Sequence, residues 1–156
     1  MIRVDIPGRE KLKIENILFD FNGTLAVDGK IVDHIKDKLI TLSKMVNIIV
    51  ITADTYGSGK SECDKLDLNI MTFPKDCAGM HKQEIVYKLG SERTVAVGNG
   101  YNDLEMFEAS CFSVAVIGEE GLSSKLLLKS DIITRSIEEA IDLFLKPDRI
   151  KADLRW

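Results

Sequence analysis

Short apolar runs alternate with stretches of helical spacing along most of the chain. "NILFDF" (16–21), "NIIVIT" (47–52), "TVAVGN" (94–99) and "FSVAVI" (112–117) are rich in Val and Ile without polar alternation, the pattern of strands buried on both faces. "DIIT" (131–134) predicts a further strand, and "LNIMTF" (68–73) is a weaker candidate. Between them, Ile35, Leu39, Leu42 and Val46 share one helical face of residues 33–46, and Ile85, Val86 and Leu89 share one of 80–89, which Gly90 terminates. Ile137, Ala140, Ile141 and Phe144 mark a last helix opening at Ser136, with Glu139 placed for a capping box. Strand–helix alternation predicts a doubly wound, Rossmann-like parallel α/β sheet of about five strands with helices on both faces. Such sheets bind ligands beyond the carboxyl ends of their strands.

Two segments break the rhythm. Residues 1–14, with "IPG" at 6–8, predict a short hairpin or extension ahead of the first core strand. In "TLAVDGKIV" (24–32), Asp28-Gly29 lies between alternating apolar flanks, a hairpin signal that predicts a small flap over 24–33. "GSGKS" (57–61) lacks the leading glycine of a nucleotide P-loop, Asp54 standing there, and reads as a glycine-rich helix start. Lys146-Pro147 ends the last helix and leaves 147–156 as a basic tail. No repeat or long linker divides the chain, so 1–156 reads as a single domain without a large cap.

Composition narrows the function. At 156 residues and 45% hydrophobic content the chain can bury one sizeable core. No apolar run approaches the ~20 residues of a membrane span, and Met1-Ile2-Arg3-Val4-Asp5 is unlike a secretion leader. A net charge of -4 argues against a dedicated nucleic-acid binder. Cys63, Cys77 and Cys111 have no metal or redox spacing, which suggests reduced thiols in a cytoplasm. His34 and His81 are isolated, so a metal would be a hard cation held by carboxylates and amides, such as magnesium.

The candidate chemistry sits at the strand ends. The first core strand closes on Asp20, followed by Asn22, Gly23 and Thr24; the second closes on Thr52, with Ala53 and Asp54 after it. The fourth runs into "GNGYND", bringing Asn99, Asn102 and Asp103, and Lys82 lies near the start of the 80–89 helix. On one rim of a parallel sheet these groups supply a nucleophile, donors for phosphoryl oxygens and oxygen ligands for a divalent ion.

"DFNGT" (20–24), "VIT" (50–52), Lys82 and "GNGYND" (98–103) resemble, in order, the four motifs of the haloacid dehalogenase (HAD) superfamily. The likeness covers roughly 15–145 and leans towards small cap-less members related to the phosphorylation domain of P-type ATPases. It implies a Mg2+-dependent phosphatase acting on a small phosphorylated substrate through an aspartyl-phosphate on Asp20. By the same resemblance Asn22 stands at the general acid/base position and lends its carbonyl to the metal. Gly23, Thr52 and Lys82 would bind the phosphoryl group, and Asn99 and Asp103 would serve the metal beside Asp20. Cap-less relatives often close an open site with a neighbouring subunit, which implies a homo-oligomer, dimer or tetramer, built around 24–33.

Two positions depart from that pattern. Asn22 replaces the second acid of DxDGT, and an amide does not shuttle protons near neutral pH. Asn99 replaces the first acid of GDGxND and brings no formal charge to a cation. A slow phosphatase, a weakened phosphate-binding or regulatory descendant, and a receiver-like phospho-acceptor module all remain open. Blander readings stand beside these. Asp20 could cap a strand–turn junction, Asn99 and Asn102 could be turn residues, Asp103 a first-turn acid and Asp54 a solvated one. Lys75 or Lys88 could take the place given to Lys82.

Overall fold

Six parallel strands form the spine of the computed structural model, which describes residues 1–53 and 57–156. In chain order the core strands are β3 (Asn16–Asp20), β6 (Asn47–Thr52), β7 (Asn69–Thr72), β8 (Thr94–Gly98), β9 (Phe112–Val116) and β10 (Ile132–Thr134). Two antiparallel ribbons flank them, one pairing β1 (Ile2–Val4) with β2 (Leu12–Ile14), the other β4 (Ala26–Val27) with β5 (Lys30–Ile31). The helices are α1 (Lys36–Ser43), α2 (Ser58–Asp64), α3 (Ala78–Leu89), α4 (Leu104–Ala109), α5 (Ser124–Leu127), α6 (Ile137–Leu145) and α7 (Asp148–Leu154).

The sheet runs β10-β9-β8-β3-β6-β7. Counted by core strand, that is the doubly wound order 3-2-1-4-5-6, not the 2-1-3-4-5 of receiver folds, which removes the receiver-like reading. The order reverses between β3 and β8, so a crevice opens where Asp20 and Gly98 end their strands. β3 is buried at every position, as is β8, because each lies between two strands and under helices on both faces. The core accordingly divides into two clusters. One gathers Ile17, Phe19, Val95 and Val97 with the ribbons, α1 and α6; the other gathers Leu18, Ile51 and Ala96 with α3 and α4.

The strand count is six where the sequence pattern suggests about five. The addition is β7 at the sheet edge, whose Asn69, Met71 and Thr72 are exposed, so it lacks the two-faced apolar signature. In the 33–46 segment a 3-10 turn over Asp33–Ile35 precedes α1. Ser136 caps α6 by accepting from Glu139 N at 3.1 Å, while the Glu139 carboxylate reaches back to Arg135 N at 3.0 Å. "GSGKS" does open a helix, α2. Residues 148–154 of the basic segment form α7, whose Ile150 is buried in the core cluster that holds β1.

The 24–33 flap turns through Asp28 (φ 50°) and Gly29 (φ 75°), both left-handed as a tight two-residue hairpin requires. Three of its apolar side chains, Leu25, Ala26 and Ile31, are buried in the chain's own core, and Val27 and Val32 are half-buried. Ile31 N donates to the buried Glu62 carboxylate at 3.1 Å, tying the flap to α2.

Candidate functional site

The carboxyl ends of β3, β6 and β8 surround a polar cavity of about 630 Å³. Asp20, Asn22, Thr52, Lys82 and Asn99 all line it, so the residues singled out from three strand ends and one helix do share a pocket. Lys82 takes the central place. It lies one turn into α3, is 1% exposed, and its ammonium sits 2.7 Å from Asp20 Oδ1 and 2.6 Å from Asp103 Oδ1. Asn102 Oδ1 accepts a third bond at 3.0 Å. Lys75 lines the outer part of the same cavity, and Lys88 lies in a separate apolar groove.

Asp103 is fully buried and both its oxygens are engaged. Oδ1 meets Lys82, and Oδ2 accepts from Asn99 N and Gly100 N at 2.9 Å each. Gly98 must be a glycine here, since a Cβ would run into the Asp103 carboxylate. This buried carboxylate therefore fixes the turn after β8 and positions the lysine.

Two buried carboxylates share one buried ammonium, leaving one excess negative charge. Burial, and then the Asp103 charge, push the Asp20 carboxyl up to about 7, with Lys82 pulling the other way. Burial works against the Lys82 ammonium, but Asp20 and Asp103 together outweigh it and hold its pKa above the ordinary lysine value.

Asn99 is tied on every side. Its Oδ1 accepts from Thr24 Oγ at 3.1 Å, and its Nδ2 donates to Gly121 O at 3.2 Å. Because a carbonyl only accepts, Gly121 sets the orientation of the amide. Gly23, at φ +78°, completes this corner: a Cβ there would meet a Glu120 carboxylate oxygen at 2.6 Å and Asn99 Nδ2 at 2.7 Å. Glu120 and Phe73 line the cavity without having stood out in the sequence. Glu120 lies three residues after "FSVAVI", close enough to a strand end for that rule to have flagged it. Asp54 falls outside the described residues.

The donor set fits a hard divalent cation better than a soft one. Among the described residues no three His, Cys, Asp or Glu side chains converge as a ready-made centre. What the cavity offers is oxygen from Asp20, Asn22, Asn99 and Glu120, around a buried excess of negative charge. Oxygen ligands of mixed charge are what magnesium-type ions accept.

A family model of haloacid dehalogenase-like hydrolases matches residues 77–140, the stretch carrying Lys82 and the 98–103 motif. The chain belongs to the haloacid dehalogenase superfamily. Among solved HAD structures, a 3-deoxy-D-manno-octulosonate 8-phosphate phosphatase of Moraxella catarrhalis, in complex with magnesium, phosphate and KDO, superposes with a TM-score of 0.72. It shares 17% identity, and the match covers 89% of this chain and 90% of that one. The cobalt-bound form of the corresponding Haemophilus influenzae phosphatase gives a TM-score of 0.72 at 14% identity, covering 91% and 93%. An uncharacterised protein of Methanocaldococcus jannaschii is 37% identical over 73 residues, 47% of this chain and 78% of that one. No helix among the described residues of this HAD chain is long and apolar enough to cross a membrane.

Proposed function

We propose that this HAD protein is a Mg2+-dependent phosphatase that hydrolyses small phosphomonoesters through an aspartyl-phosphate on Asp20. The observation that carries the reading is the buried Asp20–Lys82–Asp103 constellation opening onto a polar cavity. A buried carboxylate beside a buried ammonium, facing an open cavity, is an arrangement for reaction more than for stability.

In this reading one Asp20 oxygen attacks phosphorus in line with the departing alkoxide. Lys82 holds the carboxylate by its other face and spreads charge from the phosphoryl oxygens. Thr52 offers a donor to the same oxygens, whereas the Gly23 N–H is spent on Ala26 O at 2.9 Å, so Gly23 shapes the turn instead of binding phosphate. A bound divalent cation would neutralise charge on nucleophile and phosphoryl group, with Asp20, the Asn22 carbonyl and Asn99 as its ligands. Asp103 supports that site by charge and by fixing the Asn99 and Gly100 amides. Water then attacks the acyl phosphate and regenerates Asp20, with no acid at Asn22 to assist either step.

The match to phosphatases solved with Mg and Co supports the metal and a small phosphorylated substrate. Only the short 24–33 flap lies between β3 and the turn leading into α1, which supports the cap-less, P-type-ATPase-like grouping. Subunit pairing to cover so open a site follows as part of the proposal. It would have to use the flap's exposed Asp28 and Lys30.

The test is hydrolysis of p-nitrophenyl phosphate with and without Mg2+. Metal-dependent turnover lost in Asp20→Ala is expected. Absence of turnover alongside retained binding of phosphate would favour the weakened, phosphate-binding reading.

A further inference from the structure

Asn99 spends its side-chain nitrogen on architecture. That nitrogen donates to Gly121 O, and the Asn99 main-chain carbonyl accepts from Ser123 N at 2.9 Å. One residue at the end of β8 thus holds the 118–123 loop by two bonds. That loop turns tightly, with Gly121 N donating to Gly118 O at 3.0 Å, and Glu119 and Glu120 occupy its tip. It is pressed onto the Asp20 turn: a Cβ on Gly118 would lie 2.8 Å from Gly23 O. The close approach of two glycines brings Glu120 over Gly23 and into the cavity wall, while Glu119 lines a different cavity on the far side.

A carboxylate at position 99 could not make the Gly121 bond, because its oxygens would face that carbonyl without a hydrogen to share. The amide that gives up charge at 99 is the group that anchors the loop bearing charge at 120. The remaining Asn99 oxygen already accepts from Thr24, and Asp103 has no oxygen uncommitted. Of the acids near Asp20 among the described residues, Glu120 is the one that lines the open cavity beside it.

We propose that Glu120 is a ligand, direct or through one water, of the divalent cation at Asp20, supplying the charge that Asn99 lacks. The inference rests on the Asp20 site binding such a cation at all, and its test separates the two ideas. Mn2+ binding to the metal-stripped full chain is followed by electron paramagnetic resonance, in the wild type and in Glu120→Gln, Glu119→Gln and Asp20→Asn. The expected result is binding in the wild type, weakened about tenfold or more in Glu120→Gln and in Asp20→Asn, and unchanged within about twofold in Glu119→Gln. Both glutamates are exposed at a loop tip, so thermal melts of metal-free Glu119→Gln and Glu120→Gln should coincide with the wild type. Wild-type binding with Glu120→Gln unaffected would overturn the role of Glu120 and leave the Asp20 site standing. No Mn2+ binding in the wild type would overturn both.

Discussion

Lys82 Nζ lies 2.7 Å from Asp20 Oδ1 although 62 residues separate them in the chain. The contact exists because β3 and α3 meet at the point where the sheet reverses its winding. With Asp103 on the other side of the ammonium, one buried cation serves two carboxylates.

Lys82→Met should destabilise the protein by about 3–5 kcal/mol in urea denaturation near neutral pH, because it strands two carboxylates at a buried site. Turnover should vanish with it. Methionine matches the length of the lysine stem, so lost packing contributes little. A loss below about 1 kcal/mol would show that water already reaches both acids.

The elevated Asp20 pKa makes stability pH-dependent in a direction opposite to an ordinary salt-bridged acid. Its folded value, about 7, lies above the unfolded 3.8, so the folded chain holds the proton more tightly. The stabilising contribution is full below pH ~4 and is lost as pH rises through ~7. Asp20→Asn mimics the protonated form. In EDTA it should match the wild type near pH 4 and exceed it above pH 7, by an amount on the order of a few kcal/mol. Equal stabilities at both ends would mean that the buried carboxylate carries no such penalty.

Gly23→Ala and Gly29→Ala make a matched pair. Both residues sit at left-handed φ, +78° and +75°, so each substitution carries a backbone strain of about 1–2 kcal/mol. At Gly29 the new methyl meets, among the described residues, only the Ser58 side chain, at 3.4 Å and beyond. At Gly23 it collides with Glu120 and Asn99. Melting temperatures should fall for both, while phosphatase activity should collapse only for Gly23→Ala. Equal activity in the two would show that the Gly23 corner has no part in the chemistry.

Much of this arrangement is legible before any coordinates. Four buried strands betray themselves by unbroken Val and Ile, and the polar residues that close three of them, Asp20, Thr52 and Asn99, are the ones that meet. What the sequence marks only faintly is instructive. β7 reads as a weaker candidate because an edge strand with Met71 and Thr72 in solvent has no two-faced burial to advertise. Lys82 cannot be told from Lys75 or Lys88 by spacing, since only the start of α3 at Ala78 decides which lysine faces β3. The two-handed role of Asn99 is invisible for another reason: its partners Thr24 and Gly121 lie on turns whose approach depends on glycines at 23 and 118.

Asn22 sets the last expectation. It is exposed at the cavity wall, two residues beyond Asp20, where an acid would reach the leaving-group oxygen. Positioned general acid–base catalysis is worth roughly 10²–10⁴-fold, and an amide can supply none of the proton transfer. Asn22→Asp should therefore raise kcat on alkyl phosphates by at least about tenfold. It should do little for p-nitrophenyl phosphate, whose leaving group departs without a proton. The same change adds a negative charge beside Asp20, so a rise in KM is expected alongside the gain. A substrate panel showing equal kcat for both proteins on alkyl esters would mean that leaving-group protonation does not limit this enzyme.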